Sequence, residues 1–157
     1  MIRITAVLAA IAIGATAVYA QNLDAIKQRR QVMKTIATAG AANFKMVRGE
    51  APFDLAMVQA GLKTYQDEAA KLAGLFPNDS KTGGDTDASL SIWQAKTEFE
   101  AAIATFISTA KNAANAITDE ASFKKEYPTV VRSCGGCHKD ADGFAPRLAD
   151  SFKKLKQ

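Results

Sequence analysis

The chain has 157 residues, of which 48% are hydrophobic and 23% are charged, and its formal net charge is +4. This balance is typical of one soluble globular domain and excludes a disordered or fibrous chain, and so small a positive charge does not indicate nucleic-acid binding. Because alanine is abundant and the chain has only four prolines and ten glycines, helix formers predominate and an all-α fold is expected.

The first twenty residues have the features of a secretory signal peptide. Arg3 precedes a long apolar run, and Val18 and Ala20 occupy the small-residue positions of a cleavage site. We therefore predict a signal peptide at 1–20 that is cleaved after Ala20, and a mature domain at 21–157 in the periplasm. The alternative is an uncleaved membrane anchor, although about 20 apolar residues are needed to span a bilayer.

The segment after the predicted signal peptide has a helical pattern of apolar residues. Between Asn22 and Val47, alternating spacings of three and four predict one amphipathic helix. Its predicted buried stripe consists of Leu23, Ile26, Arg30, Met33, Ala37, Gly40, Phe44 and Val47. Arg30 is the only charged member of this stripe, and Gly49 and Pro52 are expected to end the helix.

The same periodicity predicts three further helices. The second is expected from Leu55 to Phe76 with Asp54 as its N-cap, and the third from Ile92 to Ile117. The fourth is expected to begin after a cap at Thr118 or Asp119. A polar loop of about fifteen residues joins the second helix to the third, and loops of that length are either functional or simply solvated connections. The short connections elsewhere predict an antiparallel, up-down-up-down four-helix bundle.

Both cysteines and the only histidine of the chain lie within five consecutive positions near the C-terminus. Cys134, Cys137 and His138 form the pattern C-x-x-C-H, which is the attachment motif of a c-type haem. Two thiols three residues apart on a helical turn can add to the two vinyl groups of one porphyrin, and the adjacent imidazole can bind its iron. The motif therefore predicts a single covalent cofactor site.

Other kinds of site would use part of this motif. A structural disulfide or a redox-active thiol pair would use both cysteines, but neither needs His138 and no strand-rich pattern surrounds the motif. A zinc ion would need a fourth ligand, and the chain has no further cysteine or histidine. We therefore predict one covalently attached haem c with its iron.

The chain resembles the class II c-type cytochromes, the family of cytochrome c′ and its low-spin relatives of the cytochrome c-556 type. The resemblance rests on the C-terminal position of C-x-x-C-H and on the segments "RRQVMK", "VRGEAPFD", "GGD" and "IWQAKTEF". It implies that His138 is the proximal iron ligand, that Cys134 and Cys137 carry the thioethers, and that the protein is a monomer or a two-fold dimer. The segment "KDADGF" after the motif departs from the family pattern.

The resemblance also implies roles for residues distant from the motif. Met33 would face the distal side of the iron, and Arg29 would lie near the haem propionates. Arg30 and Asp85 would be further members of the haem environment. No second cluster of acids, bases or nucleophiles is visible in the sequence, so we do not expect an enzyme.

The role of Met33 separates two functions. Ligation by its thioether would give a six-coordinate, low-spin haem suited to one-electron transfer. If Met33 only packs in the core, the open face of the iron would admit nitric oxide or carbon monoxide, as in a high-spin cytochrome c′. We favour ligation, because Met46 and Met57 lie outside the predicted stripe and antiparallel packing brings the start of the first helix beside the end of the fourth. We therefore expect an electron carrier that exchanges electrons with periplasmic or membrane redox proteins.

Overall fold

The computed structural model describes the backbone of residues 2–138 and the side chains of residues 23–138. Every regular element in this part of the chain is helical. In chain order the elements are α1 (Ile2–Val47), α2 (Leu55–Leu72), a 3-10 helix (Asn78–Ser80), α3 (Ser91–Gln94), α4 (Lys96–Ala116) and α5 (Glu120–Cys134). The helix α1 includes the segment predicted as a signal peptide and runs from Ile2 to Val47 without a break.

The four long helices form the predicted bundle. The helix α1 packs against α2, α2 against α4, and α4 against α5, whereas α1 and α5 touch at few positions. A large core cluster joins all four helices, and a smaller one joins α3 to the start of α4. No helix in the described part of the chain has the length and hydropathy needed to cross a membrane.

The ends of the helices follow local sequence signals. Gly49, with φ of 73°, provides the left-handed turn after α1. The side chain of Asp54 accepts a hydrogen bond of 3.0 Å from the backbone N–H of Met57, as predicted for the N-cap of α2. Asp119 and Ser122 form a capping box at the start of α5, where the Ser122 N–H donates to Asp119 Oδ1 at 2.7 Å.

Two predicted helix boundaries are wrong. The second helix ends at Leu72, and Phe76 lies beyond it in the loop, where its ring packs edge-on against Phe99 with centroids 4.8 Å apart. The predicted third helix is divided into α3 and α4 at Ala95, whose φ of −121° and ψ of 54° are not helical. These tertiary contacts outweigh the helical periodicity on which the prediction relied.

The predicted buried stripe of α1 is also partly wrong. Arg30 is exposed, whereas its neighbour Arg29 retains only 4% of its accessible surface. Farther along the helix, Asn43 is fully buried and Met46 is 5% exposed, although neither was expected in the stripe. The buried face of α1 therefore includes polar side chains, which a hydropathy pattern does not predict, and Arg29 finds hydrogen-bond partners there.

Candidate haem site

A cavity of about 610 Å³ lies among the four long helices. Most of its wall is apolar and comes from α1, α2 and α4, with Met33, Ile36, Ala37, Phe44, Tyr65, Ala69, Leu72, Ile103 and Phe106. The remainder of the wall contains Cys134, Cys137 and His138. The three residues of the C-x-x-C-H motif thus face one apolar cavity.

The motif occupies a compact turn that follows α5. The N–H of Gly135 donates to Arg132 O at 3.0 Å, and the N–H of His138 donates to Cys134 O at 3.1 Å. A side chain at Gly136 would lie 3.1 Å from Ser133 O and 3.8 Å from the Cβ of Ala102 on α4. The glycines therefore avoid crowding the backbone oxygens within the turn, and both cysteines line the same cavity.

The chemistry of Cys134 does not match that of a redox-active thiol. No disulfide joins it to Cys137. Burial raises the pKa of the Cys134 thiol to about 11, so that the thiol is neutral at physiological pH. Within the described residues, no group of three or more His, Cys, Asp or Glu side chains could hold a metal ion directly.

Met33 shares the cavity with the C-x-x-C-H motif, and its role at the iron stays a prediction. It is half-buried, packs against the core and lines the cavity that His138 also lines. The other two described methionines lie elsewhere. Met46 is in the core, where its sulfur accepts a hydrogen bond of 3.3 Å from the Asp54 N–H, and Met57 is 46% exposed.

The guanidinium of Arg29 holds the loop between α2 and α3. It donates to Leu75 O at 3.3 Å, to Ser80 Oγ at 3.0 Å, to Ser80 O at 3.1 Å and to Thr86 Oγ1 at 2.6 Å. Arg29 does not line the cavity. Its described partners are thus in the loop, and the propionate contact that the resemblance implied stays a prediction.

Two aromatic rings complete the environment of Arg29. Its guanidinium carbon lies 4.8 Å from the ring centroid of Phe76 and 5.8 Å from that of Trp93, at distances typical of cation–π contacts. The Trp93 indole N–H donates to Phe76 O at 3.0 Å. Burial lowers the pKa of Arg29 from its ordinary value, but an arginine keeps its charge at physiological pH. The long loop is therefore anchored to α1 by a buried cation.

Arg30 and Asp85 form an ion pair with each other at the surface. An Arg30 N–H also donates to the backbone oxygen of Asp85 at 3.1 Å. Both side chains are more than half exposed, and neither residue lines the cavity. The pair fastens the loop from outside, next to the Arg29 contacts, and the structure does not bring it together with the motif.

Sequence reasoning missed two cationic residues of the cavity, Lys34 and Arg48. Arg48 donates from Nε to Glu50 Oε1 at 2.6 Å and from Nη2 to Oε2 at 2.8 Å, and this contact lowers the pKa of Glu50. Both cations lie outside the predicted stripe of α1, but Lys34 follows Met33 directly. That adjacency was the one signal that could have identified it.

A buried polar cluster adjoins the cavity, and one of its members, Tyr65, is part of the cavity wall. The hydroxyls of Tyr65 and Tyr127 are 2.9 Å apart, and burial raises the pKa of Tyr127 to about 12 and that of Tyr65 further. The amide of Asn43 lowers the pKa of Tyr127, although neither amide atom makes a well-formed hydrogen bond within the described residues. A side chain at Gly61 would lie 2.5 Å from Asn43 Nδ2, so α2 needs a glycine there.

These residues fit a covalently attached haem. Two thiols and an imidazole line an apolar cavity. The thioether of Met33, which is a soft donor for iron, also lies in its wall. Lys34 and Arg48 can neutralise carboxylate groups of a cofactor that reach the surface. The donors, the apolar walls and the cations together are the components that a haem c requires.

Comparisons with known proteins agree with this arrangement. The family model described as Cytochrome C′ matches residues 24–140. A cytochrome c′ of Rhodopseudomonas palustris is 39% identical over 88% of this chain and 94% of its own length. A cytochrome c-556 of the same organism is 30% identical over 89% of this chain and 96% of its own length.

The fold agrees as well. A solved structure of cytochrome c′ from Rhodopseudomonas palustris superposes with a TM-score of 0.72 at 42% identity, covering 74% of this chain and 94% of that one. The residues that the family model matches, 24–140, include the four long helices from residue 24 onward and the C-x-x-C-H motif. The chain therefore belongs to the cytochrome c′ family of class II c-type cytochromes and carries the covalent haem c of that family.

Proposed function

We propose that this protein is a periplasmic one-electron carrier in which Met33 is the second axial ligand of the haem iron. The observation that carries the proposal is the position of Met33 in the wall of the cavity that His138 lines. Of the described methionines, only Met33 has this position, since Met46 lies in the core and Met57 at the surface. Export by the segment 1–20 is part of the proposal.

Each residue of the site has a distinct task. Cys134 and Cys137 hold the cofactor covalently, and His138 supplies the proximal nitrogen. The bound haem supplies an iron that alternates between its ferric and ferrous states. The thioether of Met33 is a soft, neutral donor that favours ferrous iron and raises the reduction potential. We assign no substrate turnover to the site.

Binding of a small gas is the second candidate function. It is favoured by the higher identity to a protein named cytochrome c′ than to one named cytochrome c-556, 39% against 30%. In this alternative, Met33 would only fill space, as its packing against the core also permits. The two functions differ in whether the iron has an open coordination position.

Replacement of Met33 by alanine tests the proposal. We expect the unmodified holoprotein to be low-spin and Met33→Ala to become high-spin, because its alanine has no donor for the iron. Met57→Ala is the matched control, since Met57 is exposed and does not line the cavity. Identical absorption spectra of the unmodified protein and Met33→Ala would show that Met33 is not a ligand.

A further inference from the structure

One face of α1 is uniformly basic. Between residues 25 and 49 the sequence contains six basic residues and no acidic one. At 3.6 residues per turn, Lys27, Lys34 and Lys45 lie within about 20° of one another around the helix axis, and Arg30 and Arg48 lie about 40° to one side of Lys34. All five are exposed, and we call them the basic stripe.

The basic stripe borders the haem cavity. Lys34 and Arg48 belong to both, because each also lines the cavity. Lys27 lies about 10 Å before Lys34 along the helix and Lys45 about 16 Å after it, given a rise of 1.5 Å per residue. The stripe therefore runs along the helix beside the cavity.

Much of the charge of the stripe is not neutralised. Arg30 pairs with Asp85, and Arg48 pairs with Glu50. Among the described residues, Lys27, Lys34 and Lys45 form no salt bridge. On α2, α4 and α5, most lysines pair with carboxylates one to four positions away, although Lys111 on α4 does not. Three exposed lysines without a salt bridge among the described residues thus share the one helix face beside the cavity.

We propose that the basic stripe is the docking surface for an acidic redox protein that exchanges electrons with the haem. This inference rests on the proposed electron-carrier function. Electrostatic attraction speeds the encounter of oppositely charged surfaces and orients them before contact. A partner held on the stripe lies against the edge of the haem cavity, where the transfer distance is short.

Binding of an acidic plant-type [2Fe–2S] ferredoxin to the holoprotein tests the docking surface. Calorimetry with both proteins oxidised measures docking without electron transfer. We expect Lys27→Gln/Lys45→Gln to weaken binding about threefold to tenfold at low salt, and 0.5 M salt to remove most of the binding. The control Lys63→Gln/Lys111→Gln removes the same charge elsewhere and should change binding less than twofold. Equal weakening by both double variants would overturn the proposal, because net charge alone would then explain it.

Stopped-flow reduction of the oxidised holoprotein provides a second readout. Reduced ferredoxin should react more slowly with Lys27→Gln/Lys45→Gln, whereas the cationic reagent hexaammineruthenium(II) should react no more slowly with it than with the unmodified protein. If ferredoxin binding does not depend on the stripe while vesicles of phosphatidylglycerol bind through it, the surface serves a membrane and the proposal fails. The absorption spectrum of each variant reports the iron ligands separately, so a failed ligand assignment is distinguishable from a failed docking surface.

Discussion

The two ends of the bundle are built differently. At the end where α2 and α5 begin, the ring of Phe123 lies 5.5 Å from that of Phe53 and 4.9 Å from that of Tyr127, and the side chains fill the space between the helices. Toward the end that carries the C-x-x-C-H motif, the helices surround a cavity of about 610 Å³, whose wall extends to Phe44 and Arg48 near the other end of α1. The closed end forms a core from its own side chains, whereas the open end is shaped for a cofactor.

This difference separates stability from function. Side chains at the open end face a cavity, whereas those at the closed end pack against one another. We therefore expect the open end to depend on the haem for its packing contacts more than the closed end does.

The largest expected effect comes from preventing haem attachment. In Cys134→Ala/Cys137→Ala we expect the mass to fall by one haem and the helix content to decrease, because the open end loses the group that fills it. Hydrogen exchange should show lost protection near the motif and at Leu72, with protection retained around Phe123. If the haem-free variant kept the hydrogen-exchange protection of both ends, the proposed difference between the two ends would be wrong.

The next largest effect is expected at the closed end. Phe123 is 1% exposed, and truncation of a buried phenylalanine costs about 3–5 kcal/mol. Phe123→Ala should therefore lower the free energy of unfolding by that amount and leave the absorption spectrum of the haem unchanged. Denaturant unfolding and a spectrum of the same sample measure both quantities. If Phe123→Ala instead shifted the haem spectrum and kept the full free energy of unfolding, stability and haem binding would not be divided between the two ends.

A smaller effect should appear at alkaline pH. The folded pKa of Tyr127 is about 12 against an ordinary value of 10.0, and that of Tyr65 is also raised. Because the folded state holds these protons more tightly, their contribution to stability is complete below pH 10 and is lost as the pH rises toward 12, by about 2 kcal/mol for Tyr127. The free energy of unfolding should fall over this range, and less steeply in Tyr65→Phe/Tyr127→Phe. If the free energy of unfolding fell equally steeply with pH in both proteins, the two tyrosines would not cause the loss.

Sequence patterns predicted the parts of the site that short-range chemistry determines. The spacing of Cys134, Cys137 and His138 is a local requirement of haem attachment, and the structure places all three at one cavity. The helices were predicted because apolar periodicity reflects burial, and the Asp54 cap was predicted because a side chain accepts from its own helix.

The unpredicted parts depend on contacts between distant segments. The burial of Arg29 requires acceptors more than forty residues away and two aromatic rings, so hydropathy favoured its neighbour Arg30. The burial of Asn43 depends in the same way on the space above Gly61. The cavity position of Arg48 is determined by the packing of the bundle, which periodicity along one helix does not describe.

The most direct test of the central claim is the addition of carbon monoxide to the unmodified ferrous holoprotein. If Met33 occupies the sixth coordination position, carbon monoxide should bind slowly or not at all, because the thioether must first leave the iron. Met33→Ala should bind it readily under the same conditions. Immediate and complete binding to the unmodified protein would contradict the account and assign the protein to the gas-binding alternative.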